Sequence, residues 1–146
     1  MKTVILYYTF GGSTQKEAER LERELSAPCY RVKEAHHRSF LGAFIPGGFL
    51  AMRRKPVAIK PLDVNLNDYE KIIIGCPVWA GYPAPAFNAI VQRLPAGKSI
   101  ELFFCSGGTG TQKTEAGTRA LIEQKGCTVE AYRDVLTGTQ PGKMKE

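Results

Sequence analysis

The chain has 146 residues, 43% of them hydrophobic and 23% charged, with four cysteines, two histidines and a formal net charge of +6. That length suits one domain, residues 1–146, with a core that needs no disulfide staples, and the composition excludes disorder. No apolar run reaches membrane-spanning length, and the positive charge comes without a nucleic-acid motif, so it points to no specific nucleic acid.

Thr3 to Tyr8 (TVILYY) is β-branched and aromatic and too short for a helix, so it reads as a buried strand. The N-terminus enters this strand directly, which leaves no room for a signal peptide and makes the cytoplasm the expected location. A loop follows, Thr9-Phe10-Gly11-Gly12-Ser13-Thr14, and then a helix with Ala18, Leu21 and Leu25 on one stripe. Small hydroxyl residues at a helix N-terminus form an anion site, because the first N–H groups lack partners and the helix dipole favours negative charge. The adjacent glycines let the backbone curl around a phosphate. The loop is not the ATP-binding P-loop, since Gln15 stands where no Lys-Ser/Thr pair ends it, and it lacks the three spaced glycines of the dinucleotide fingerprint. Neutral donors suit a phosphate monoester that stays bound. The architectural alternative is a strand-to-helix turn capped by Ser or Thr.

Cys29 to Ala35 reads as a more polar edge strand. Ser39 to Lys60 mixes Phe40, Leu41, Phe44, Ile45, Phe49, Leu50 and Met52 with glycines and the basic run Arg53-Arg54-Lys55. It reads as a crossover with short helical turns that covers one sheet face, or as a lid over a pocket. Lys71 to Cys76 (KIIIGC) is a buried strand, Pro77 to Pro85 (PVWAGYPAP) a loop, and Ala86 to Leu94 a helix with Phe87, Ile90, Val91 and Leu94 on its apolar face. Ser99 to Cys105 (SIELFFC) is another buried strand, and Ser106 to Thr111 (SGGTGT) another glycine-rich loop. Lys113 to Gln124 is a helix capped by Gly126, and Thr128 to Leu136 is the last strand. Alternating strands and helices imply a doubly wound parallel sheet with helices on both faces. Ligands of such sheets sit at the C-terminal strand edge, where all three informative loops fall.

Together these loops offer a phosphate cradle, an exposed Trp79 with Tyr82 nearby, and a third segment rich in backbone donors and acceptors. An exposed tryptophan between Pro77 and Gly81 is costly unless it covers something flat. A planar aromatic ligand with a phosphate tail fits all three.

On these residues the chain resembles the flavodoxin family, whose members bind flavin mononucleotide (FMN). The resemblance runs from Lys2 to about Leu136. T-F-G-G-S-T is similar to the family's T-x-T-G-x-T phosphate loop at Thr9, Gly12 and Thr14, with Gly11 where a threonine is common. IIIGCPVWAGYPAPAF is similar to its buried strand followed by P-x-W-x-G, and CSGGTGT matches in position and glycine content. The resemblance implies a three-layer α/β fold with five parallel strands in the order 2-1-3-4-5. It implies that Thr9, Phe10, Gly11, Gly12, Ser13 and Thr14 hold the phosphate, and that Trp79 or Tyr82 stacks on the flavin ring. Pro77, Val78, Ala80 and Gly81 would line the ring's edges with Ser106, Gly107, Gly108, Thr109 and Gly110. No side chain need act as acid or base, since the cofactor carries the electrons.

Cys76 and Cys105 would then end neighbouring strands near the flavin, where a redox role competes with simple packing. Cys29 and Cys127 read as small buried hydrophobes, and without paired ligand spacing, His36-His37 included, no metal site is expected. Two features depart from the family. Flavodoxins that shuttle electrons are usually acidic, and this chain is basic, so its redox partner would differ. The end, Thr137 to Glu146 (TGTQPGKMKE), cannot form a full last helix. One sheet face would then stand partly uncovered beside the first helix, a surface for a homodimer or another partner. The leading function is an FMN-binding electron-transfer protein serving a redox protein or a small acceptor. The alternatives are an FMN-dependent NAD(P)H:quinone-type oxidoreductase and a cofactor-free binding module on the same fold.

Overall fold

The computed structural model describes residues 2–36, 51–108 and 110–137. In chain order the elements are β1 (Thr3–Tyr7), α1 (Ser13–Leu25), β2 (Cys29–Arg31), a 3-10 turn (Leu66–Asp68), β3 (Lys71–Trp79) and β4 (Tyr82–Pro83). They continue with α2 (Pro85–Gln92), β5 (Ser99–Ser106), a 3-10 turn (Gln112–Thr114), α3 (Glu115–Gln124) and β6 (Thr128–Leu136). Five strands pair in parallel in the order β2-β1-β3-β5-β6, and the two-residue β4 folds back antiparallel on the end of β3. With β4 set aside this is the expected order 2-1-3-4-5. Most of the Ser39 to Lys60 crossover, and the expected absence of a last helix after Thr137, lie outside the described residues.

The central strands β1, β3 and β5 are apolar on both sides because both sides are covered, whereas the edge strands β2 and β6 are partly exposed. Val4, Leu6, Ile72, Ile74, Cys76, Ile100, Leu102 and Phe104 share one core with Phe87 and Ile90 of α2 and Ile122 of α3. Ile5, Tyr7, Ile73, Phe103 and Cys105 face the other way, against Ala18 and Leu21 of α1. Gly75 sits inside β3 because the Phe103 ring lies over it: a Cβ there would meet ring carbons at 2.0–2.5 Å.

The face expected to stand open is buried at Ile5, Tyr7, Ile73, Phe103 and Cys105, none more than 7% exposed. Part of the reason is on β6, where the Arg133 guanidinium lies 5.7 Å from the centre of the Phe103 ring. Arg133 also pairs with Glu17 of α1 at 2.9 Å, which fixes the long side chain across the face. Among the described residues no helix is long and apolar enough to cross a membrane.

Candidate cofactor site at the C-terminal sheet edge

Each of the three loops leaves the C-terminal end of a parallel strand, so the sheet brings them to one edge. In the first, the Gly12 N–H donates to Thr9 Oγ1 at 3.0 Å, and Gly12 takes φ 110°, which only glycine adopts without strain. That turn aims the chain into α1, whose N-terminus carries no side-chain cap. Thr9 and Thr14 are buried, Ser13 and Phe10 half-buried, and Gly11 exposed. A Cβ on Gly12 would meet nothing within 4 Å, so open space lies over the turn. An uncapped helix start beside a hydroxyl-rich turn, open above, fits a phosphate.

The second loop differs from its expected form. Pro77, Val78 and Trp79 continue β3, and Ala80-Gly81 make a two-residue turn to Tyr82 and Pro83. Trp79 is therefore no exposed loop residue. It is 4% exposed and packs edge-on against Tyr8, with ring centres 6.1 Å apart, and against Phe10 at 5.8 Å. Hydrophobic burial of the indole wins over presentation to a ligand. Among the described residues, the aromatic surface at this edge belongs instead to half-buried Phe10 and Tyr82, and Arg54 lies over the Tyr82 ring at 5.1 Å.

The third loop is held from below. The Gly110 N–H donates to Ser106 Oγ at 3.1 Å, and the Thr137 N–H donates to the Ser106 carbonyl at 2.9 Å. Gly107 and Gly108 are exposed, Gly110 is buried, and Thr109 lies outside the described residues. Thr114 Oγ1 donates to the Gly81 carbonyl at 2.8 Å, tying this loop to the hairpin.

Several residues that position these loops carry no sequence motif. Thr111 is 1% exposed, and its N–H and hydroxyl donate to Asp134 Oδ1 at 3.0 and 2.7 Å. With that proton committed, the Tyr132 hydroxyl donates to Thr111 Oγ1 at 2.5 Å. Burial pushes the Tyr132 pKa up to about 12, so it remains a donor at neutral pH. Arg54 of the basic run turns inward and donates to Thr118 Oγ1 and to the Thr114 carbonyl, each at 3.0 Å. Burial lowers its pKa from the ordinary arginine value.

Cys76 and Cys105 do not lie together, although they stand on neighbouring strands. Cys76 is opposite Phe104 and Cys105 opposite Pro77 in the β3–β5 register, so the two thiols fall on opposite sheet faces. None of the four cysteines is in a disulfide. Beside the first loop, on the β2 side, lies a cleft of about 470 Å³ that shares Thr9 and Phe10 with it.

No family model and no curated protein matches the chain. Solved structures do. A flavoprotein from Lactobacillus acidophilus NCFM in complex with FMN is 26% identical, with 91% of this chain and 92% of that one covered and a TM-score of 0.77. A Bacteroides uniformis protein provisionally described as a flavoprotein has a TM-score of 0.80 at 20% identity, covering 93% and 90% of the two chains. A flavodoxin, WrbA-like protein from Agrobacterium tumefaciens has a TM-score of 0.59 at 16% identity, covering 97% and 86%. With its parallel strand order and its three loops gathered at one sheet edge, the chain is a flavodoxin-like protein in fold.

Proposed function

We propose that this chain binds FMN at the three-loop edge and passes electrons between a donor and a redox protein or small acceptor. The observation that carries the reading is the left-handed Gly12 turn beside Thr9, opening an uncapped α1 on the same edge as the hairpin and the third loop. Its support is the 26% identity, over 91% of the chain, to a flavoprotein in complex with FMN. The N–H groups and hydroxyls of Thr9 to Thr14 would hold the phosphate. Tyr82 and the backbone of Val78 to Gly81 would flank the ring on one side, and Ser106 to Gly110 on the other. Trp79 supports this site from beneath, through Phe10, rather than stacking itself. Bound flavin supplies the electron-accepting chemistry, while these residues bind it, orient it and set the polarity around it.

A second reading, an FMN-dependent NAD(P)H:quinone-type oxidoreductase, is favoured by the cleft beside Thr9 and Phe10. The test is the visible spectrum of the purified protein after incubation with FMN and desalting. Retained flavin absorbance is expected, and Thr9→Val should weaken FMN binding about fivefold by loosening the Gly12 turn. A colourless wild-type protein overturns the reading. Rapid NAD(P)H oxidation by the loaded protein alone decides for the enzyme over the carrier.

A further inference from the structure

We infer that Arg54 is a positioning residue of the candidate site, whose cation, set against Tyr82, favours the reduced, more negative form of a bound flavin over the oxidised one. This role rests on the FMN reading and deepens it. The backbone at Arg54 takes φ 51°, a left-handed angle that a residue with a long side chain rarely adopts, and its N–H donates to the carbonyl of buried Ala51 at 3.0 Å. With that turn Arg54 is half-buried, between exposed Arg53 and Lys55. Helix α3 makes room for it. A Cβ at Gly117 would meet Arg54 Nη2 at 2.8 Å and Cζ at 3.4 Å. Glycine inside a helix is weaker than alanine, and here it admits the guanidinium.

The cation has no counter-ion. Its hydrogen bonds go to neutral acceptors, Thr118 Oγ1 and the Thr114 carbonyl, each at 3.0 Å. No carboxylate among the described residues pairs with it. Glu115, at the start of α3, is taken by Arg119 at 2.7 Å, and Asp134 accepts from Thr111 at 2.7 Å. A guanidinium drawn partly out of water beside neutral groups keeps its attraction for negative charge.

Tyr82 decides where that attraction acts. The guanidinium lies over the Tyr82 ring, 5.1 Å from its centre. Thr114 ties the two together, giving its carbonyl to Arg54 and donating its hydroxyl to the Gly81 carbonyl at 2.8 Å. A flavin flanked by Tyr82 would therefore have a fixed positive charge one ring away. Two electrons and one proton turn oxidised flavin into a form with one more negative charge. A unit cation within about a Debye length, in a half-buried place, favours that form about five- to tenfold.

The experiment titrates the full chain, loaded with FMN, with dithionite under anaerobic conditions, and measures oxidised FMN affinity separately. The midpoint potential and that affinity together give the affinity for reduced FMN. Arg54→Gln is expected to lower the preference for reduced over oxidised FMN about five- to tenfold, with the potential falling to match. Arg54→Lys, which keeps the charge, should lose about twofold or less. Gly117→Ala keeps every charge and suits a helix better, yet displaces the guanidinium, so it should shift the same way by about two- to threefold. It carries the test if Arg54→Gln does not fold. An unchanged preference in the folded variant overturns the role. So does equal weakening of oxidised and reduced FMN, which marks Arg54 as a structural tie only, or a loss in Arg54→Lys as large as in Arg54→Gln. Wild type that takes up no flavin sinks the FMN reading and this role together, whereas flavin bound at an unshifted potential sinks the role alone.

Discussion

At the scale of single residues, the candidate site depends on buried groups that hold its loops from behind. Thr111 is the clearest. Its one hydroxyl accepts from Tyr132 and donates to Asp134, and so pins the third loop to β6. Thr111→Val keeps the shape but leaves the Asp134 carboxylate and the Tyr132 hydroxyl each short of a partner in a half-buried place. We expect a loss of about 1–3 kcal/mol in urea unfolding, the range for breaking a buried polar contact on one side. FMN affinity should fall with it, because Thr114, three residues on, also holds the hairpin. An unchanged unfolding midpoint would mean that Asp134 is satisfied by other groups. The turn at Gly12 and the start of α1 were legible in the sequence because glycine and hydroxyl residues after a buried strand mark a tight turn into a helix. Thr111, Asp134 and Tyr132 were not, since their partnership depends on the β5–β6 register, which no local spacing encodes.

At the scale of elements, the hairpin shows where local reading and tertiary structure part. Pro77 and Gly81 suggest a loop, yet β3 runs on through Trp79. β1 pairs with β3 only as far as Gly75, so Pro77 stands beyond its end and the missing N–H breaks no bond on that side. Burial of Trp79 between Tyr8 and Phe10 then rewards the extended path. The turn takes φ 56° at Ala80 and 83° at Gly81, the pair of left-handed residues that matches the twist of a two-residue hairpin. Alanine is a poor residue for that first position. Ala80→Asn should stabilise the fold by about 0.5–1 kcal/mol in thermal or urea unfolding, since asparagine tolerates the left-handed region. A destabilised variant would show that the small exposed methyl, not the backbone angle, matters there. The parallel core is legible for the opposite reason. Strands such as KIIIGC and SIELFFC are apolar on both faces, and only a covered parallel sheet accommodates that.

At the scale of the whole molecule, the α1 side of the sheet links stability to the candidate site, because the first of the three loops leads into the N-terminus of α1. Glu17 on α1 is the junction. It accepts from Arg20 at 2.7 Å and from Arg133 at 2.9 Å, and Arg133 in turn covers Phe103. The hydrogen bond from Arg20, followed by that from Arg133, holds the Glu17 carboxyl below its ordinary value of 4.5 against the opposing effect of burial. A carboxyl depressed in the folded state contributes its stability fully above the unfolded pKa and loses it as pH falls through the folded pKa. Wild type should therefore lose part of its urea stability as pH drops from about 5 to about 3, and Glu17→Gln should lose less over the same window. Arg133→Ala should weaken the protein at neutral pH as well, by uncovering Phe103, and should bring the acid profile towards that of Glu17→Gln. Superimposable profiles for wild type and Glu17→Gln would mean that these pairs are solvated surface contacts. The packing of Ala18 and Leu21 alone would then hold α1, and the first loop with it, to the sheet.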